Sequence, residues 1–205
     1  MTTLELRFRA ATHADTDAVV ALVESAYRGD ASRAGWTTEA DLLDGRRTGA
    51  DDIAACIDRG RSVILLAEQV APTRQPAAKA SGNVQGARQS PPRAPMLLAC
   101  AHVAIEPCDD GGDAGYFGMF SVRPTLQGGG VGKALLAEAE RMARDEWALP
   151  SMRMTVIDVR DELIAFYERR GYHRTGIFKP FPYGDERFGV PRRDDLRFEV
   201  LEKRL

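Results

Sequence analysis

Cysteine, histidine and long apolar runs are all scarce in this chain, and each scarcity removes a class of protein. Of 205 residues only three are cysteines, Cys56, Cys100 and Cys108, and three are histidines, His13, His102 and His173. An odd cysteine count with irregular spacing does not make a disulfide framework, and no pair has the short spacing of a zinc site. The histidines are far apart in sequence, so no metal is expected. No run approaches the roughly 20 apolar residues that a membrane span requires. Met1 to Arg9 alternates charged and apolar residues and lacks the apolar centre of a signal peptide. The formal net charge is −2, which leaves no basic field to hold nucleic acid. The expectation is a cytoplasmic protein of ordinary globular composition, 44% hydrophobic and 28% charged. Its length suits one domain, residues 1–205, that buries about 70% of the surface of its unfolded form. A homodimer is allowed but not indicated.

Leu4 to Arg9 alternates at period two, as a half-buried strand does. Val19, Leu22, Val23, Ala26 and Tyr27 then recur at spacings of three and four, the pattern of an amphipathic helix. Gly29 to Gly35 reads as a break. Thr37 to Leu43 reads as a short second helix with Thr37 or Thr38 as its N-cap, and Asp51 to Arg59 as a third, ended by Gly60. Ser62 to Glu68 is a strand apolar enough to be buried on both faces. Residues 71–95 differ in kind, with five prolines, four basic residues and no acidic or aromatic side chain. Such a stretch buries too little apolar surface to offset its ordering entropy, and reads as a flexible insertion between strands. Strands follow at Met96–Ile105, Tyr116–Val122 and Met152–Ile157, with helices after the second and third. Closing strands fall at Tyr172–Phe178 and Asp195–Leu201, giving about seven strands in an α/β (α+β) arrangement.

Between the Tyr116–Val122 strand and its helix lies Gln127-Gly128-Gly129-Gly130-Val131-Gly132-Lys133. A glycine-rich turn at a helix start suits an anion, because glycine tolerates positive φ and the first helical N–H groups lack intrahelical acceptors. Three loops compete for it. A triphosphate-binding P-loop needs glycine at 127 and a hydroxyl at 134, where this chain has Gln127 and Ala134. A dinucleotide fingerprint starting at Gly128 needs glycine at Lys133, and one starting at Gly130 needs it at Leu135. The pattern that fits is Q-x-x-G-x-G.

That pattern resembles the pyrophosphate loop of the GNAT acetyltransferases. Val122-Arg123-Pro124 matches the entry to that loop, and Phe166-Tyr-Glu-Arg-Arg-Gly-Tyr172 matches the superfamily's late F-Y-x-x-x-G-[F/Y] segment. The two motifs, with 34 residues from Gly132 to Phe166, leave room for one helix and one strand. The resemblance implies a mostly antiparallel mixed sheet splayed between its fourth and fifth strands, with helices on both faces. It implies acetyl-coenzyme A as donor, an amine as acceptor, and no metal. Backbone groups of Met119, Phe120, Ser121 and Val122 would pair with the pantetheine arm as an added strand. The amides from Gly128 to Lys133 would hold the pyrophosphate at the helix N-terminus. Tyr167 matches the tyrosine that acts as general acid toward the sulfur. Arg160 stands where many relatives have a cofactor-contacting asparagine, and would reach a phosphate. No carboxylate occupies Tyr116-Phe117-Gly118, where relatives often place a basic glutamate. His102 and Glu106 are the substitutes, acting through water or serving the fold alone. Acceptor candidates are Trp36, the Thr37–Leu43 stretch and the aromatics Phe178 to Tyr183 with Phe188. A small-molecule amine is the expected acceptor, with a peptide or protein amine as the alternative. A non-catalytic acyl-coenzyme A sensor is the reading from another class.

Overall fold

The computed structural model describes residues 5–70, 95–108 and 111–205. The proline-rich insertion, apart from Pro95, lies outside them. Strand β1 (Leu6–Ala10) opens the chain, and α1 (Thr16–Tyr27) and the single turn α2 (Gly29–Ser32) follow. A two-residue strand β2 (Leu43–Asp44) precedes α3 (Ala50–Asp58). Three long strands come next, β3 (Ser62–Gln69), β4 (Met96–Pro107) and β5 (Asp113–Val122). Helix α4 (Val131–Arg141) runs into a π turn at Met142–Glu146, ahead of β6 (Ser151–Ile157) and α5 (Asp161–Glu168). Strand β7 (His173–Pro180), the short β8 (Val190–Pro191) and β9 (Arg197–Arg204) complete the order.

Seven strands form one sheet in the order β1-β3-β4-β5-β6-β9-β7, while β2 and β8 pair separately. All neighbours in the large sheet are antiparallel except β5 and β6. Period-two alternation sends Leu65 and Ala67 of β3 to one face and Ile64 and Leu66 to the other. The first face takes α4, through Val131, Leu135, Leu136 and Ala139, and α5, through Leu163, Ile164, Phe166 and Tyr167. The second takes Val19, Leu22, Val23, Ala26 and Tyr27 of α1 with Ile53 of α3. Helices cover both faces, as the periodicities and the resemblance led one to expect.

Residues 37–43 are not the expected helix. Thr38 Oγ1 accepts from the Ala40 amide at 3.2 Å and pairs with Ser32 Oγ at 2.6 Å, local bonds that compete with a helical ladder. Glu39 is drawn inward and is only 5% exposed. Its carboxylate accepts from Arg28 Nη1 at 2.7 Å and Arg160 Nη1 at 2.9 Å. Arg160 Nη2 also donates to the Thr37 carbonyl at 2.5 Å. The start of α5 is thereby fastened to the segment after α2. Despite its burial Glu39 is held below the ordinary carboxylate range, because Arg160, Arg47 and Arg28 together outweigh the desolvation.

A second polar link ties β3 to its neighbours. Ser62 Oγ donates to the Cys56 carbonyl at 2.9 Å and pairs with His102 Nε2 at 2.8 Å. With its one proton given to Cys56, Ser62 accepts from the imidazole N–H, which assigns the Nε2–H tautomer to His102. Burial, aided by Arg59, pushes the His102 pKa down to about 4.

Two outcomes follow. Glu39→Ala leaves two buried guanidinium groups without their carboxylate and should cost roughly 3–5 kcal/mol of unfolding free energy, measured in urea. His102 has a folded-state pKa below its unfolded value of about 6.5, so the unfolded chain takes up the proton first. Stability is therefore complete above pH about 6.5 and falls as pH drops toward 4. His102→Gln should flatten that part of the profile, and a profile unchanged by the substitution would assign the acid loss to other groups.

Candidate active site

Strands β5 and β6 pair only at Gly115–Met152 and Tyr116–Arg153. Beyond Tyr116 they diverge, and among the described residues the β5 edge turned toward β6 has no further strand partner. On its other edge β5 stays with β4 but bulges: Cys100 faces Ser121 and His102 faces Gly118, three steps against two. Met119 sits in the bulge at φ 49°, a left-handed conformation uncommon outside glycine. The Tyr27 hydroxyl, at the end of α1, donates to the Phe120 carbonyl at 2.6 Å and holds the bulge from above.

The glycine loop lies beside the open edge. Gly130 caps α4 at φ 87°, and the first intrahelical hydrogen bond runs from Ala134 N–H to its carbonyl at 3.0 Å. The amides of Val131, Gly132 and Lys133 precede that bond. A Cβ on Gly132 would stand 2.8 Å from the Phe120 ring, so only glycine lets the helix start approach β5 this closely. Gln127 acts as a latch: its Oε1 accepts from Trp36 N–H at 2.9 Å, and its Nε2 donates to Thr37 Oγ1 at 2.8 Å and the Val122 carbonyl at 3.2 Å. Trp36, packed 5.3 Å from the Phe166 ring, forms the facing wall. The cavity between them measures about 380 Å³.

Of the residues expected there from sequence, Phe120, Val122, Gln127, Gly128, Gly130, Gly132 and Lys133 line this cavity. Gly129 and Val131 do not; Val131 packs into the core beneath the loop. Ser121 is fully buried. Met119 lines a different cavity. Arg160, expected as a phosphate contact, does not line this cavity; its guanidinium donates to Glu39 and the Thr37 carbonyl and stands over the Tyr27 ring. The cations that face the cavity besides Lys133 are Arg169 and Arg170. Sequence reasoning passed over both, although they sit inside the Phe166–Tyr172 motif.

Three tyrosines surround the parting of the strands. Tyr27 is bound to Phe120, and Tyr116 lies beside Thr155 of β6. Tyr167 packs 6.3 Å from the Phe120 ring and 5.3 Å from Phe166, and among the described residues its hydroxyl has no hydrogen-bond partner. Burial pushes the Tyr167 phenol well above its ordinary pKa, and nearby Tyr27 adds to the shift. The phenol therefore keeps its proton throughout the neutral range.

A second cavity of about 400 Å³ opens on the other side of the bulge, bounded by Arg47, Asp52, His102, Glu106, Tyr116 and Phe188 among others. Met119 faces this space while Phe120 faces the first, so adjacent residues of the bulge serve opposite cavities. The Tyr116 hydroxyl folds over Gly118, where any side chain would collide with it. Both expected proton acceptors, His102 and Glu106, reach this cavity. Of the acceptor-site aromatics only Phe188 does. Trp36 belongs to the first cavity, Phe181 caps the core with Leu43, Ile157 and Leu196, and Phe178 lies under Arg197.

Comparison with known proteins bears on the same elements. Residues 97–172 match the model of the acetyltransferase (GNAT) family. Comparison with curated proteins gives no match. Among solved structures, a putative phosphinothricin N-acetyltransferase is 17% identical, with 98% of this chain and 99% of that one covered at TM-score 0.63. A GNAT-family acetyltransferase from Streptococcus pneumoniae is 14% identical, covering 98% and 100% at TM-score 0.59. A ribosomal-protein-alanine N-acetyltransferase from Brucella melitensis is 18% identical, covering 97% and 99% at TM-score 0.59. At these identities the likeness is one of fold, and it extends over the whole sheet. The sequence match to the acetyltransferase (GNAT) family runs from β4 to the end of the Phe166–Tyr172 motif, and outside it the likeness is one of fold alone.

Proposed function

We propose that the chain is an N-acetyltransferase that moves the acetyl group of acetyl-coenzyme A to a small-molecule amine by direct attack within a ternary complex. The observation that carries the reading is the pair of cavities meeting at the Met119–Phe120 bulge, which lets donor and acceptor bind together from opposite sides.

The first cavity fits coenzyme A by its chemistry. Amides at the start of α4 offer donors to a diphosphate, with Lys133, Arg169 and Arg170 at hand as counter-charges. The unpaired edge of β5 offers main-chain groups to an extended amide-bearing arm. Acetyl-coenzyme A supplies the activated acyl group as a thioester. At the bulge, where Met119 falls between the β4-paired residues Gly118 and Ser121, a backbone N–H would polarise the carbonyl oxygen. Tyr167, protonated and with its donor uncommitted, is placed to meet negative charge on a departing sulfur. On the acceptor side, His102 presents Nδ1 as its free acceptor because Nε2–H is given to Ser62. His102 and Glu106 of that cavity would accept the amine's proton through water.

Tyr167→Phe should lower turnover by about 10²- to 10⁴-fold while leaving acetyl-coenzyme A affinity essentially unchanged. Free-thiol release with a panel of amines, alongside calorimetric titration, reads both numbers; unaltered turnover would remove Tyr167 from the mechanism. Gly132→Ala pushes the start of α4 away from Phe120 and should cost about 1–3 kcal/mol of stability together with weakened coenzyme A binding. A variant that binds coenzyme A as tightly as the parent would show that the loop is not the diphosphate site.

A further inference from the structure

The acceptor cavity contains one cation whose hydrogen-bonding capacity is left over. Three arginines, Arg28, Arg47 and Arg160, gather around the single buried carboxylate of Glu39. Arg28 and Arg160 take its two oxygens at hydrogen-bond distance. Arg47 comes no nearer than 3.8 Å, and among the described residues its guanidinium makes no hydrogen bond. It stands 5.3 Å over the Tyr27 ring, is 29% exposed, and faces the cavity beside Tyr116. A guanidinium carries five N–H donors in a planar fork, and here they open onto the space where an acceptor would sit. Arg28 adds to the excess, since its Nε and Nη2 are buried without partners.

The position of Arg47 is fixed independently of any ligand. Glu24 Oε1 accepts from the Arg47 amide at 2.6 Å and from the Thr48 amide at 2.9 Å, which anchors the loop before α3. The other arginine of the cavity, Arg187, is already engaged by both oxygens of Asp185. Of the carboxylates bounding the cavity, Asp52 accepts from the Gly49 amide at 2.8 Å as the cap of α3. Glu106 stands with Tyr116 near the opening of the sheet. The cavity is thus polarised, with a preorganised cation on one wall and a carboxylate on another.

We infer that the acceptor is an amine that also carries a carboxylate, an amino acid or a close analogue, and that Arg47 binds its carboxylate through the guanidinium fork. The inference rests on the acetyl-transfer reading above for the identity of the reactive group. Arg47 is then a specificity-determining residue and takes no part in bond making. A polyamine would set its charges against Arg47 and lose, whereas a bidentate carboxylate restores charge balance where Glu39 alone falls short.

The test pairs each of the twenty amino acids with its carboxamide, adds spermidine, and follows thiol release from acetyl-coenzyme A. Expected is at least one free acid whose kcat/KM exceeds that of its amide by about 10- to 100-fold, the range for hydrogen bonds to a charged group. Arg47→Gln should erase that preference by raising KM for the acid, with kcat retained, and Arg47→Lys should restore part of it. Amides or spermidine used as well as the acids would overturn the inference. So would an Arg47→Gln variant in which acid and amide suffer alike, the mark of a structural role. If no amine releases thiol, the acetyl-transfer reading fails, and binding decides the inference separately. The coenzyme A-loaded protein is then titrated with N-acetyl amino acids and their amides. A carboxylate preference lost in Arg47→Gln supports an anion clamp, and equal or absent binding refutes it.

Discussion

The structure depends on β5 parting from β6 after two residue pairs. A parallel ladder that continued past Tyr116 would satisfy the β5 edge and close the sheet, leaving no channel through the middle of the molecule. The bulge at Met119 is the counterpart of that opening on the β4 side, since an extra residue there increases local twist and turns β5 away from β6. An unpaired edge inside a sheet is costly, and the surrounding parts act to hold it open. Tyr27 satisfies the Phe120 carbonyl from the α1 side. Phe120 itself is clamped from the α4 side by the close approach that Gly132 allows, with Phe166 and Tyr167 packed against it.

Glu39 extends the same constraint to the rim. A buried carboxylate is stable only with its counter-charges, and its partners come from the end of α1 and the residue before α5, 121 positions away in the case of Arg160. Because Arg160 also holds the Thr37 carbonyl, the segment carrying Trp36 cannot drift independently of α5. Gln127 fastens that segment to the glycine loop from the other direction. The Trp36–Thr37 rim of the first cavity is therefore held from two directions, by Arg160 with its Glu39 partner and by Gln127.

Sequence periodicity made the helices α1 and α4 and the strands β3 to β6 legible, because burial on one face leaves a spacing of two or of three and four. The glycine loop was legible for a different reason: each competing anion loop demands a named residue at a named offset, and Gln127, Ala134 and Lys133 refuse two of them. What escaped was whatever depends on distant partners. Thr37 to Leu43 carries a helical pattern, yet the pull of Arg28 and Arg160 on Glu39 outweighs it. Arg160 occupies a position that suggests a phosphate contact, and nothing near it in sequence reveals the carboxylate that claims it. The left-handed Met119 leaves no mark either, since methionine has no preference that announces a bulge.

The distribution of charge around the bulge follows from burial. At the centre Tyr27, Tyr116 and Tyr167 all have raised pKa values, and His102 has a lowered one, so each is driven toward its neutral form. Full charges line the walls, Lys133, Arg169 and Arg170 on one side and Arg47, Asp52, Glu106 and Arg187 on the other. A neutral centre suits a reaction in which charge appears only transiently, because fixed ions there would stabilise reactants as strongly as the species between them. Charged walls suit substrates that are themselves charged at their ends and neutral where they react. On the proposed acetyl-transfer reading, recognition is thereby separated from chemistry: the walls would select the molecules, and the phenol of Tyr167 would respond to the charge that develops between them.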